Sequence, residues 1–306
     1  MLVRTDVVVD PVLSNVSKAY SNEMYIADTL FPGLKVGKET GKYYIYDRAK
    51  FRRNITRRAA GAKANEVEYG LSTASFTTED HALKEKTPWE ILRQADSALN
   101  PELDATENIT EQLLIDKEIG LATSMEDTAV ISTNNTTLSG TSQWSDFTNS
   151  DPIGNVRAGM VLVQKQIGRK PNTLVLGKEV FDKLIDHPDI VERVKYSLGA
   201  AVTEELLARI FNVGRVIVAE AIKNTATEGA NDSMDYIWGK HAWLIYVAPA
   251  ARLRSITLGF TFKYEDRKVK KWDDEDAEAR FIRVNENYVH KFVAEEAAHL
   301  IKNAIA

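Results

Sequence analysis

Between Arg48 and Lys63 the chain carries seven basic residues (Arg48, Lys50, Arg52, Arg53, Arg57, Arg58 and Lys63) and no acidic one. Such a run cannot enter a core, because lysine and arginine are almost never fully buried unless paired. Strand-like sequence flanks it on both sides: Lys42–Asp47 (KYYIYD) is aromatic and β-branched, and Glu66–Phe76 (EVEYGLSTASF) alternates. The pattern predicts a hairpin with a basic tongue at its tip. A globule of this size has a radius of gyration near ~19 Å, hence an outer radius of about 25 Å. Half of the span from Lys42 to Phe76 is about 17 residues, which at ~3.3 Å each reach about 55 Å. Fully extended, the hairpin outreaches its own globule. An isolated two-stranded hairpin is marginal in water, so a neighbour has to order it.

The rest of the chain is acidic, with 32 basic residues against 44 acidic ones outside the tongue. A net charge of -5 gives no overall nucleic-acid footprint. At 306 residues the chain can bury one large or two ordinary cores, and 44% apolar content excludes wholesale disorder. The absence of cysteine excludes disulfides, thiolate metal sites and cysteine nucleophiles. No stretch approaches the ~20 apolar residues of a membrane span, and the N-terminus lacks a signal-like apolar run.

Leu13, Val16, Tyr20, Met24 and Ala27 recur at helical spacing up to Pro32-Gly33. A helical region is expected over Thr87–Leu99, then a long helix over Pro101–Val130, with Pro101 in its first turn and Glu102, Asp104 and Glu107 near its N-terminus. Asn134–Asn149 reads as a loop. Asp151-Pro152 opens another helix, followed by a buried strand at Thr173–Leu176, helices at Lys178–Asp186, Asp189–Tyr196 and Thr203–Ile210, and a strand at Val213–Ala219. Tyr236–Val247, Thr257–Tyr264, Phe281–Val284 and Tyr288–Ala294 are expected as strands, with the charged run Glu265–Glu278 as the turn of a long hairpin. His299–Ala304 is a closing apolar stretch.

Motifs for chemistry are thin. Gly33–Lys38 and Gly37–Lys42 each spell G-x-x-x-G-K, one residue short of a phosphate loop and without its Ser/Thr. His81, His187, His241, His290 and His299 form no close ligand pair and are expected as surface or partly buried imidazoles. Asp273, Asp274, Glu275, Asp276 and Glu278 crowd a polar turn, which favours a solvated or partner-facing patch over a hard-cation site or an acid/base pair. The tongue suits phosphates in charge, but Phe51 is the one aromatic inside it, with Tyr43, Tyr44 and Tyr46 just before. Contact with acidic surface on another copy is favoured. The complements are the Asp273–Glu278 turn and residues 101–118, which hold six acids and one lysine.

In this order the elements resemble the major capsid proteins of tailed double-stranded DNA bacteriophages, the HK97-like fold. The segments that carry the likeness are Tyr20–Pro32 (YSNEMYIADTLFP), the Lys35–Phe76 hairpin, Pro101–Val130, Pro171–Gly177 (PNTLVLG) with the sequence up to Lys195, and Leu207–Ala221 (LARIFNVGRVIVAEA). The resemblance implies an α+β fold with an N-terminal arm (1–33), an extended loop (34–78), a peripheral domain with a long spine helix (79–150 and 248–306) and an axial domain (151–247). It implies a non-enzymatic head protein without cofactors or metals that forms pentamers and hexamers of an icosahedral shell. That shell expands on packaging, by pivoting of the long helix and hairpin. Implied partners are other copies of the chain, a scaffolding protein, a portal and a decoration protein, with packaged DNA contacted non-specifically at most and no membrane. The setting is the virion, assembled in the host bacterial cytoplasm. Because the sequence starts at the arm, a separate scaffolding protein or prior processing is expected. Lys50 and Lys63 lie in the loop where some relatives crosslink through a lysine and an asparagine, but no partner asparagine stands out. The alternatives are an encapsulin-type bacterial nanocompartment shell, which shares the fold, and an unrecognised α/β enzyme or nucleic-acid binder.

Overall fold

A computed structural model describes residues 8–46, 51–54, 56–61, 63–66, 71–94, 100–195, 202–227, 229–250 and 255–306. The chain begins with β1 (Val8–Val9) and α1 (Pro11–Ala19). Asp10 caps α1, accepting from the Val12 and Leu13 amides at 2.9 and 3.1 Å. The helix ends at Tyr20, earlier than the apolar spacing predicts, and its buried face is Leu13, Ser14 and Ser17. Val16 is half-buried and Met24 exposed. The hydroxyls bind instead of merely packing: Ser14 Oγ accepts from the Val269 amide at 3.0 Å and Ser17 Oγ meets Thr110 Oγ1 at 2.8 Å. A one-turn helix α2 (Ala27–Leu30) and the short strand β2 (Gly33–Lys35) complete this segment.

β3 (Thr40–Tyr46) and β4 (Leu71–Thr77) pair from Thr40–Thr77 to Tyr46–Leu71. β5 (Glu79–Pro88) follows, and its strand character is a departure from the sequence expectation. Its residues EDHALKEKTP put charges on both faces, which hides the alternation and suits an edge strand. The expected helix at Thr87–Leu99 starts two residues later as α3 (Trp89–Gln94). α4 (Pro101–Glu126) has 26 residues, about 39 Å, and stops short of Val130 where Asp127 accepts from the Ala129 amide at 2.7 Å.

Beyond β6 (Asn135–Thr137) come α5 (Pro152–Ile167), β7 (Thr173–Gly177), α6 (Lys178–Ile185), α7 (Pro188–Val194), α8 (Glu204–Phe211) and β8 (Arg215–Ala219), close to the expected bounds. Asp151 caps α5 through the Gly154 amide at 2.7 Å, and Gly168 ends it at φ 67°. Tyr236–Val247 is not one strand. β9 (Ile222–Asn224) pairs with β10 (Met234–Tyr236), a turn at Gly239 (φ 54°) intervenes, and β11 (Ala242–Ile245) runs separately. The turn lets Trp238 and Trp243 meet edge to face at 5.3 Å in the core.

The charged run Glu265–Glu278 is a second departure. β12 (Gly259–Asp274) continues through it and β13 (Ala279–Phe292) returns, leaving a turn at Glu275–Glu278. Ion pairs make this extension tolerable: Lys271 reaches Asp10 at 2.6 Å, and Arg280 reaches Asp273 at 2.7 Å and Glu102 at 2.5 Å. Trp272 stacks on Phe281 alongside, centroids 5.5 Å apart.

Two five-stranded sheets result. One has the order β1-β12-β13-β5, with β2 also on β12, and α4 lies against it. The other has the order β6-β14-β11-β7-β8, where β14 is Ala298–Lys302. β6 and β14 therefore join the sheet of β7, whereas residues 79–150 and 248–306 were expected together in the other unit. Both strands are short, with sequences NTT and AHLIK, and nothing in such short patterns says which sheet receives them. α4 and Trp243 tie the halves together: the Trp243 indole donates to the Met125 carbonyl at 2.9 Å.

Candidate intersubunit surfaces

The hairpin β3–β4 is fixed at its root. Tyr43 and Phe76 are buried with Phe260, Phe262 and Val293. Phe76 stacks on Phe262 with centroids 4.2 Å apart, and the Tyr43 hydroxyl donates to the Phe292 carbonyl at 3.3 Å. Beyond Tyr46 the described part of the tongue is not strand. Among the described residues the ladder has seven residues a side, about 23 Å. Phe51 lies on the chain's own Gly168: a Cβ at that glycine would stand 2.6 Å from its ring.

Arg48 and Lys50 lie outside the described residues. Arg52, Arg53, Arg57, Arg58 and Lys63 are exposed. Among the described residues they have no ion-pair partner. The acidic complement is less uniform than its composition. Asp273 is held by Arg280 through two bonds of 2.7 and 2.9 Å, and the Arg280 guanidinium keeps its carboxyl below the usual range. Asp274 is half-buried, while Glu275, Asp276 and Glu278 are exposed at the turn. The structure of one chain does not bring tongue and turn together.

Three of the acids of α4 are bound within the chain. Glu102 binds Arg280 and Lys271. Glu111 accepts from the Tyr25 hydroxyl and from Asn22. Glu118, 1% exposed, accepts from the Ile26 and Ala27 amides at 3.0 and 2.9 Å and from the Trp238 indole at 2.7 Å. Burial pushes its carboxyl up even so. Asp104, Glu107 and Asp116 remain exposed.

A buried charge cluster escaped the sequence reading. Lys117, 3% exposed, reaches Asp28 at 2.7 Å. Lys263 stands 3.4 Å from Asp28 and 3.6 Å from Glu286, and Arg267 is 3.3 Å from Glu286. Burial pushes the Lys117 ammonium down against the pull of Asp28 and Glu286. It works upward on Asp28, but Lys117 and Lys263 hold that carboxyl low. The cluster pins α2, and with it the arm, to the middle of α4 and to β12. One signal was present: Lys117 and Glu118 fall on the apolar stripe of α4, between Leu114 and Leu121.

The histidines are more buried than expected. His187, His241 and His299 are buried and His290 is half-buried. His187 meets Ser150 Oγ at 3.0 Å and accepts from the Asp189 amide, so it caps α7. Among the described residues no group of acids and imidazoles is arranged to hold a metal ion, and no helix is long and apolar enough to cross a membrane.

A fold with an anchored hairpin, a charged unpaired tip and a long helix bridging two sheets is that of the HK97-like capsid proteins. The sequence matches the family described as phage major capsid protein E over residues 115–287. The major capsid protein of Pseudomonas phage JBD67 is 32% identical over 306 residues, covering 97% of each chain. Among solved structures, a phage-related protein from Bordetella bronchiseptica RB50 is 26% identical and superposes with a TM-score of 0.79 over 97% of each chain. The mature capsid of bacteriophage PhiM1 shares the fold at 14% identity, with a TM-score of 0.57 over 93% of this chain and 89% of that one. These relatives favour a phage head protein over the nanocompartment alternative, and the family is one of structural proteins rather than enzymes. The chain belongs to the phage major capsid protein E family.

Proposed function

We propose that the chain builds the icosahedral head of a tailed phage, forming pentamers and hexamers through heterologous contacts that close into rings. Family membership carries this reading. The hairpin supports it, because its root is buried in its own subunit while the described cations of its tongue stand exposed without ion-pair partners. The tongue serves as a clasp on acidic surface of a neighbouring copy, with Glu275, Asp276 and Glu278 available at the turn. The sheet of β12 and β13 with α4 forms the peripheral unit and the sheet of β7 the axial unit. Assembly takes place in the host cytoplasm with a separate scaffolding protein and a portal, and a decoration protein completes the shell. The shell encloses double-stranded DNA and expands as α4 and the hairpin pivot.

Negative-stain microscopy and sedimentation of the purified chain, alone and with its scaffolding candidate, test this. Shells or capsomers are expected. A monomer at high concentration under both conditions refutes it. Arg52→Glu with Arg53→Glu should block or destabilise shells, and unchanged assembly would remove the charge contact from the account.

A further inference from the structure

β8 is the outer strand of its sheet, and among the described residues nothing pairs with its free edge. The Arg215 amide donates to the Asn172 carbonyl, on the β7 side, at 3.0 Å. Alternate residues of a strand direct their backbone groups to opposite sides. Arg215, Ile217 and Ala219 therefore face β7, and the amides and carbonyls of Val216 and Val218 face outward. They open onto a groove of about 660 Å³, whose far wall is the arm at Tyr20–Met24 and Ile26. Exposed edges are usually blunted by charge, proline or a covering element. Here Val216, Ile217 and Val218 follow one another, and the covering element stands a groove's width away.

The groove is acidic as well as apolar. Glu23, Glu204 and Glu220 line it, and no basic side chain does. Lys178 satisfies Glu220 at 2.9 Å, and Arg215 at the start of β8 turns its Nε to Thr173 Oγ1 at 3.1 Å. Glu23 and Glu204 form no ion pair among the described residues, although Lys178 lies near Glu204. By contrast, Glu275, Asp276 and Glu278 stand exposed at their turn, and exposed ion pairs alone stabilise little.

We propose that this groove, rather than the Glu275–Glu278 turn, seats the basic tongue of a second copy: its backbone lies along the Val216–Val218 edge, with arginines against Glu23 and Glu204. This rests on reading the tongue as an intersubunit clasp. Charge complementarity selects the occupant. The tongue holds five exposed, unpaired cations among the described residues. Added-strand recognition uses main-chain bonds for affinity and side-chain contacts for specificity, which an edge with acidic flanks provides.

The chain has no cysteine, so introduced thiols report on contact directly. Ala60→Cys or Ala64→Cys in the tongue is combined with Ile217→Cys in the groove, and in parallel with Asp276→Cys at the turn. Disulfides form where Cα atoms come within about 7 Å. After oxidation of assembled protein, at least one Ile217→Cys combination should give a ladder of covalent oligomers on non-reducing gels, and the Asp276→Cys combinations should not. A ladder from the turn, or none from the groove, overturns the assignment. In a second arm, Glu23→Lys with Glu204→Lys should restore the assembly lost in the Arg52→Glu, Arg53→Glu variant. Rescue by Glu275→Lys with Asp276→Lys instead refutes the groove. Intact assembly in the tongue variant alone would refute the clasp itself, a separate outcome.

Discussion

Removing the carboxylate of Asp28 should cost far more than removing the ammonium it holds. Lys117 is 3% exposed and Asp28 sits 2.7 Å from it, with its side chain 52% exposed. Asp28→Ala leaves Lys117 buried beside Lys263, with Glu286 as the remaining nearby acid. Breaking a buried pair by deleting one partner costs ~3–5 kcal/mol, and solvent at Asp28 lowers the figure here to about 2–3 kcal/mol. Lys117→Met removes the buried charge itself. Asp28 then keeps Lys263 and water, so the change should lie within about 1 kcal/mol of zero. Guanidinium unfolding of the unassembled subunit, followed by tryptophan fluorescence, measures both. The pH dependence supplies a further check. Lys117 is held below its ordinary value in the folded state, so between its folded value and about 10.4 the unfolded chain binds more protons and stability rises with pH. Lys117→Met should remove that rise. Equal losses in the two variants, or an Asp28→Ala loss below about 1 kcal/mol, would show that the pair is solvated and the argument wrong.

Two further predictions concern buried histidines and the close packing of β7. Burial holds His299, and burial with nearby Lys117 holds His290, down to about 4. Between the ordinary 6.5 and about 4 the unfolded chain therefore takes up more protons, and the subunit should lose stability as pH falls through that window. Melting temperature against pH should show it, with a shallower fall in His299→Leu and a flat profile counting against it. Gly177→Ala would place a Cβ 2.0 Å from the Gly239 carbonyl oxygen, a backbone atom that cannot rotate away. A loss of about 3 kcal/mol or more is expected in denaturant unfolding, at the top of the overpacking range.

Helix signals were legible where local chemistry specifies them. Asp151-Pro152 placed the start of α5 and Pro101 the start of α4, because a cap or a first-turn proline acts within a few residues. β5 was not legible, since an edge strand with charges on both faces lacks the alternation that marks a half-buried one. The strand character of Glu265–Asp274 was hidden for a related reason: its support comes from Asp10 and Glu102, far away in sequence. The tongue was visible as charge alone. The free β8 edge could not be read at all, because strand order within a sheet is a property of the assembled topology.

Net charge of a segment also misled about what a partner meets. Residues 101–118 hold six acids, yet Glu102, Glu111 and Glu118 are bound to groups of the same chain. What faces outward is a smaller set, and it is solvated. Attraction between solvated charges is screened over about 10 Å at 0.1 M salt and about 3 Å at 1 M, whereas buried pairs are screened much less. If the clasp depends on the exposed tongue, assembly measured by light scattering should weaken steeply between 0.1 and 1 M sodium chloride. Over the same range the unfolding midpoint of the separate subunit, which rests on the Asp28–Lys117 cluster and the apolar cores, should change little. Apolar and main-chain contacts are not screened in this way, so a contact driven by the Val216–Val218 edge alone would hold. Assembly that persists at 1 M salt would therefore remove charge as the clasp's source of affinity and leave the strand edge as its basis.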